Sequence, residues 1–427
     1  MKASGRSGRV GGREGVVSAP RALLAVTVAT SFFVIILGSN TATPLLPFYR
    51  NTLALSALEI AMVFCAYFVA LVVVLALMAR TRASRLAWLI LPVALVVAGT
   101  ADVFLALAAD DSGLLYAGRL CTGASVALAT GPAASLMVVA RREKGRTMIA
   151  TGSILGAFAG LVGAVFVVAI LPSQSTTVYQ LHLTMTAVAF ISLLCALALY
   201  RREILDELGE DGAPTRPGRV PQRPGHLVAY GAGALAWAIG AVSVGVMPSV
   251  LVEVVGIESL FIASLAAASC VLFSCLANLA ISWTGSTPSV GLALAAITLG
   301  ATLCVAGTVG HQLWAVVLGC ALGGLGQAPA YSAGLRVLSL GLDPVEQGRK
   351  ASSYSCVCYA AAGMFALGAG VASTTWGTVV GVSAVVGLLG VLCIVVVILA
   401  RHTTRQTGGF DSAAQESPSS ERVMSVC

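Results

Sequence analysis

About twelve apolar runs, most of them 20 residues or longer, follow one another along the chain with only short polar breaks between them. A helix needs about 20 mostly apolar residues to cross the hydrocarbon core of a bilayer. Inside lipid the backbone N–H and C=O groups must be satisfied within the segment, so runs of this length are read as transmembrane helices. They lie at about 22–46, 57–79, 86–108, 113–139, 147–171 and 178–200, then 226–250, 259–283, 288–308, 311–339, 351–374 and 376–400. The chain is 58% hydrophobic and only 10% charged, whereas a soluble protein carries about 25% charged residues. A soluble fold has nowhere to bury this much apolar surface. The expected class is therefore all-α and integral to the membrane. Basic residues precede the first run, but it is too long for a signal-peptide core and has no small-residue exit, so it is read as a span.

The breaks between runs alternate in charge. Arg80, Arg82 and Arg85 follow the second run, Arg141, Arg142, Lys144 and Arg146 the fourth, and Arg349 and Lys350 the tenth. Asp110, Asp111, Glu253 and Glu258 occupy breaks on the other side. By the positive-inside rule the basic breaks and both termini face the cytoplasm of a multi-pass cell-membrane protein, which requires an even number of spans. The same distribution explains the net charge of +7 as topology rather than a nucleic-acid face, so no nucleic-acid partner is expected.

Residues 201–225 are the one long polar insert, acidic and basic at first and then rich in proline. They read as a flexible linker between two halves. The expected organisation is a tail over 1–21, a six-helix bundle over 22–200, the linker over 201–225, a second bundle over 226–400 and a disordered tail over 401–427. Two local matches recur at nearly one offset. Glu143-Lys144-Gly145-Arg146 is echoed by Glu346-Gln347-Gly348-Arg349, and Pro47 at the first run's exit is echoed by Pro248 at the seventh's. A duplicated six-span unit accounts for both and predicts two pseudo-symmetric bundles. Substrate in such architectures binds near the midplane, where the halves meet.

No catalytic constellation is present. The lysines are Lys2, Lys144 and Lys350, and none follows a glycine, so a Walker A loop is excluded. Most of the 11 cysteines lie inside apolar runs, where they act as small hydrophobes. The four histidines show no metal-ligand spacing. No metal, cofactor or enzymatic activity is expected.

Asn40-Thr41-Ala42-Thr43-Pro44-Leu45-Leu46-Pro47 resembles the first-helix exit of drug exporters of the major facilitator superfamily. Arg119-Leu120-Cys121-Thr122-Gly123 is similar to that family's R-x-x-x-G pattern on helix four, and the two E-x-G-R segments match its basic loops. The likeness spans residues 20–400. It implies secondary active efflux of small amphipathic drugs or metabolites, with protons as candidate coupling ion. The second loop keeps Arg82 and Arg85 but lacks the family's Asp and both glycines, and Gly156 to Leu161 lacks the proline of the antiporter motif. An importer of a small nutrient is the alternative, and a non-transporting receptor or scaffold the alternative of a different class.

The resemblance places helices one, four, seven and ten around the cavity, which makes Asn40, Trp237, Ser243, Gln327 and Tyr331 candidate cavity residues. Asp102 and Arg119 are charges inside apolar runs, where charge is costly and marks function or pairing. Each lies about six residues from the same membrane face, roughly 9 Å deep at the helical rise. They are expected to pair with each other and to gate or couple transport. Gly152, Gly156 and Gly160 share one helix face and read as a packing or sliding contact. Arg82, Arg85, Arg146 and Arg349 are candidate conformational residues.

Overall fold

The computed structural model describes residues 19–46, 49, 52–55, 57–81, 83–141, 143–171, 176–209, 223–286, 288–339, 342 and 344–407. Among them there is no strand. The first six long helices are α1 (Ala19–Thr41), α2 (Ala57–Arg80), α3 (Ala87–Leu107), α4 (Ser112–Arg141), α5 (Glu143–Ile170) and α6 (Thr177–Leu199). The second set begins with α7 (Arg223–Gly245), which continues after a break at Val246 as Met247–Glu253. It proceeds through α8 in two pieces (Leu260–Ala267 and Ser269–Thr284), α9 (Val290–Val309), α10 (Leu313–Ser339), α11 (Pro344–Trp376) and α12 (Thr378–Thr407). Ten helices are long and apolar enough to cross a membrane, and Gly152–Val167 and Ser269–Ile281 are shorter apolar segments in the two remaining places. The chain is a multi-pass membrane protein.

The expected spans and the observed helices coincide, with ends shifted by at most seven residues, as where α11 begins at Pro344 and α12 ends at Thr407. The linker does not begin as flexible chain, because Arg201–Gly209 is a helix. Its Ile204 and Leu208 are buried, and Glu203 and Glu207 stand 3.6 and 3.5 Å from Arg21 at the start of α1. Apolar anchors and these ion pairs dock the segment on the basic face. The rest of the linker lies outside the described residues, as does the tail beyond Thr407, to which α12 extends.

Lipid burial sorts the helices. In α4, 83% of the apolar window is enclosed by protein, and α1, α7 and α10 follow at 61, 56 and 61%, against 28–33% for α2, α6 and α12. Helices with small residues along their length can approach neighbours closely. Each half repeats one distinctive feature: α4 carries Pro132 and α10 carries Pro329 inside the helix. Proline removes a backbone donor, so the central helix of each half runs on with one internal hydrogen bond missing. The two E-x-G-R segments open α5 and α11, with Glu346 in the first turn of α11 and Arg349 pairing with it at 2.8 Å.

The halves meet where α11 packs on α2 and α4 and where α8 packs on α5. The Cys356 thiol donates to Val72 O at 3.7 Å and the Cys275 thiol to Ile154 O at 3.4 Å across this seam. Trp237 packs against the apolar cores of both halves.

Candidate functional site

A cavity of about 910 Å³, including its open mouth, lies between the halves. Its walls come from α1, α2, α4 and α5 on one side and α7, α8, α10 and α11 on the other; α3, α6, α9 and α12 contribute nothing. Asn40, Arg119, Trp237, Gln327 and Tyr331 all line it, together with Phe64, Tyr67 and Tyr359, which the sequence had not singled out.

The C-terminal wall is aromatic and hydroxylated. Trp237 sits edge-on to Tyr331 with ring centres 5.7 Å apart, and 4.3 Å from the Tyr359 ring. Tyr331 stacks on Tyr354 at 5.1 Å. Tyr354 donates its hydroxyl to the Tyr331 carbonyl at 2.9 Å, and the Tyr331 hydroxyl lies 3.3 Å from Ser355 Oγ. A second cavity, of about 580 Å³ with its mouth, lies toward the basic face and shares Ser153, Tyr331 and Tyr359 with the first. These three side chains therefore form the partition between the two spaces.

The N-terminal wall is charged. Arg119 is 1% exposed. Its guanidinium lies 4.9 Å from the Tyr67 ring centre and 5.9 Å from that of Phe64. Among the described residues its hydrogen bond is a long one, 3.5 Å from Nη1 to Ser39 O, and the buried Nε has no partner. Asn40 Nδ2 donates to Ile36 O at 2.9 Å and to Ser39 Oγ at 3.0 Å, which fixes the amide on α1.

The expected Asp102–Arg119 pair does not form. Asp102 is instead bound by His182 of α6, whose Nδ1 lies 2.7 and 2.8 Å from the two carboxylate oxygens. Depth along each helix was matched, but rotation turns Asp102 to α6 and Arg119 to the cavity. His182 Nε2 in turn lies 2.8 Å from Val34 O on α1. The ring enters a notch at Gly38, where any Cβ would collide with it. His182 was the one histidine well inside an apolar run, the signal that could have found this site.

The geometry dictates how many protons this pair holds. A carbonyl oxygen only accepts, so Nε2 carries a hydrogen toward Val34. Nδ1 then either donates to an ionised Asp102 or accepts from a protonated one. Both descriptions place two protons on the pair and leave it with no net charge. Loss of either proton removes the hydrogen from one contact, loosening α6 from α3 or from α1.

Ser243 is buried but faces away from the cavity, toward Cys270 and Cys320, and its hydroxyl has no hydrogen-bond partner. The glycine face of α5 packs on α1. A Cβ at Gly152 would find Ala29 O 4.0 Å away, one at Gly156 would meet Phe33 O at 2.7 Å, and one at Gly160 would collide with Leu37 O. The two helices thus converge away from the basic face. Arg85 lies in a 3-10 turn, Ala83–Leu86, on that face, while Arg82 and the Arg146 side chain lie outside the described residues.

No known family pattern and no curated sequence matches the chain. In three dimensions it is similar to the major facilitator superfamily proton:xylose symporter XylE bound to 6-bromo-6-deoxy-D-glucose, with a TM-score of 0.67 at 12% identity over 90% of this chain and 96% of that one. It is also similar to the major facilitator superfamily transporter FucP in its outward conformation, with a TM-score of 0.58 at 14% identity over 91% and 99%.

Proposed function

From a chain with the major facilitator superfamily fold, we propose a secondary active transporter that moves a small organic molecule by alternating access of the central cavity. The observation that carries this reading is the cavity's composition: both halves contribute polar side chains to one shared cavity, Asn40 and Arg119 from the first and Gln327 and Tyr331 from the second. A receptor or scaffold has no need of such a lining between two bundles. Cysteine substitution at Asn40, Gln327 and Tyr331 tests it. Transported substrate should slow thiol labelling at all three, whereas equal labelling with and without substrate removes them from the site.

We read the coupling ion as the proton and the carrier as the Asp102–His182 pair. Supporting this are its burial, its two-proton state and its contact with α1, which also lines the cavity. The direction is read as export, on the likeness of the first-helix exit to exporters. Overproduction should then lower cellular accumulation of transported compounds, and a rise for every one of them would establish an importer. Both termini are read as cytoplasmic. Reporter fusions at Thr215 and Phe410 should both report that side, and an external signal from either overturns the topology.

A further inference from the structure

We propose, on the transporter reading above, that the substrate is an organic anion: a small molecule with an apolar or aromatic body and a carboxylate-type group seated on Arg119. Ordinarily an arginine within a membrane protein faces an acid, a water-filled path or a set of carbonyls. Here α1 contains no Asp or Glu. The buried acid of this half, Asp102, lies with both oxygens on His182. The ionisable neighbours of the guanidinium are Tyr67, Tyr179 and Cys65, none of them an acid.

A guanidinium presents five N–H donors in a planar fork. Among the described residues this one makes a single long bond, to Ser39 O, and its Nε has no partner. The flanking Tyr67 and Phe64 rings hold the cation by their faces but neutralise nothing. Among the described residues no carboxylate compensates the charge of this buried fork, and a guanidinium fork is a group that receives a carboxylate through two parallel hydrogen bonds.

The rest of the cavity describes the remainder of the ligand. Phe64, Tyr67, Trp237 and Tyr359 offer apolar faces around a space of about 910 Å³. Aromatic walls solvate an inorganic anion poorly and instead favour an apolar or aromatic body around the charged group. Across the cavity, Gln327 engages only the weak Cys270 thiol, at 3.9 Å, and supplies an amide for a polar substituent.

The test uses purified full-length protein and matched probes that differ in charge alone: benzoate, 2-naphthoate and indole-3-carboxylate, each beside its uncharged amide. Binding is read by equilibrium dialysis and by thermal shift. At least one acid should bind about 30-fold or more tightly than its amide, the discrimination of one charge-assisted bidentate contact. Arg119→Gln should bring acid and amide within about threefold, and Arg119→Lys should keep part of the preference, since it keeps the charge and loses the fork. Equal binding of acids and amides by the wild-type protein, no binding of any acid, or an unchanged ratio in Arg119→Gln overturns the proposal. So does equal stabilisation by chloride or phosphate alone. The wild-type ratio decides the matter even if Arg119→Gln does not fold. Flux in proteoliposomes separates this proposal from the transporter reading. Amides that cross while acids do not would sink the anion and keep the transporter. Acids that bind with the stated preference but cross under no imposed gradient would keep the anion site and sink transport.

Discussion

The two six-helix halves share a plan but not a chemistry. Among the described residues, the three buried side chains that can carry charge, Asp102, Arg119 and His182, all lie in the first half. The buried polar side chains of the second half are Ser243, Ser274, Asn278, Thr308, Ser339, Gln347, Ser352 and Ser355. The scaffold repeats at Gly123 and Gly324, each pressed against a backbone carbonyl of the neighbouring helix, so the difference is in what each copy carries. Buried charge in a membrane is expensive and is spent where protons or charged ligands must be handled. A neutral aromatic and amide wall can instead shape a ligand without demanding a counter-charge. One half then supplies electrostatics and the other supplies fit, and four tests by substitution show how deep the division runs.

The largest effect should fall on what the halves have in common. A Cβ at Gly123 would collide with Tyr67 O where α4 meets α2, and one at Gly324 with Cys270 O where α10 meets α8. Both obstacles are backbone, which cannot swing aside as a side chain can. Gly123→Ala and Gly324→Ala should each lower stability by about 3 kcal/mol, the upper end of overpacking penalties, read as loss of monodisperse protein on heating. Gly163→Ala, with nothing within 4 Å, is the control and should behave as wild type. Loss in only one half would mean that the packing too is asymmetric.

Next in size is Asp102→Asn. The amide keeps the shape and a hydrogen-bonding oxygen for His182 but ends ionisation at Asp102. On the proton reading, substrate flux driven by a pH gradient should fall tenfold or more, about 1.4 kcal/mol per decade, while gradient-free exchange of substrate persists. Gradient-driven flux at wild-type level in this variant would assign the pair a static role in tying α3, α6 and α1 together. Charge handling would then leave the comparison, and only Arg119 would distinguish the halves electrostatically.

In the second half the matching probe is Tyr331→Phe. It keeps the ring against Trp237 and Tyr354 and loses only the hydroxyl contact to Ser355 at 3.3 Å. One ordinary hydrogen bond is worth about 1 kcal/mol, so apparent affinity should change by fivefold or less and the pH dependence should not move. A changed pH profile would show that proton handling extends into the second half.

How far the sequence reaches can be judged at these same residues. Span lengths, the even count and the two-half plan were all legible, because lipid forces long apolar runs and basic breaks. Asn40, Trp237, Gln327 and Tyr331 were placed on central helices, and they do line the cavity. As charges inside apolar runs Asp102 and Arg119 stood out, and both are buried in the protein. Rotation was not legible, since one residue turns a helix face by about 100°, and facing depends on every neighbouring helix. That is why Asp102 was assigned to the wrong partner, and why the docked helix at 201–209 read as flexible linker from composition alone.

Ser243 shows the same limit and carries the smallest effect. It was expected beside the substrate, yet its immediate neighbour Val244 lines the cavity and Ser243 does not. Its hydroxyl is buried among thiols with no geometric hydrogen-bond partner. A buried hydroxyl left unpaired costs about 1–3 kcal/mol, but a thiol nearby is a weak acceptor and recovers part of that. Ser243→Ala removes the unpaired group and leaves a void smaller than a water molecule, so the two terms nearly cancel. Stability should stay within about 1 kcal/mol of wild type, on the stabilised side, and transport should be unchanged. A clear loss of affinity with normal stability would mean that Ser243 reaches the substrate in another state of the cycle. The second half would then contribute a moving polar contact rather than a fixed wall. Loss of stability instead would show that its bond to Cys270 or Cys320 is real and that the thiol cluster is a structural element of this half.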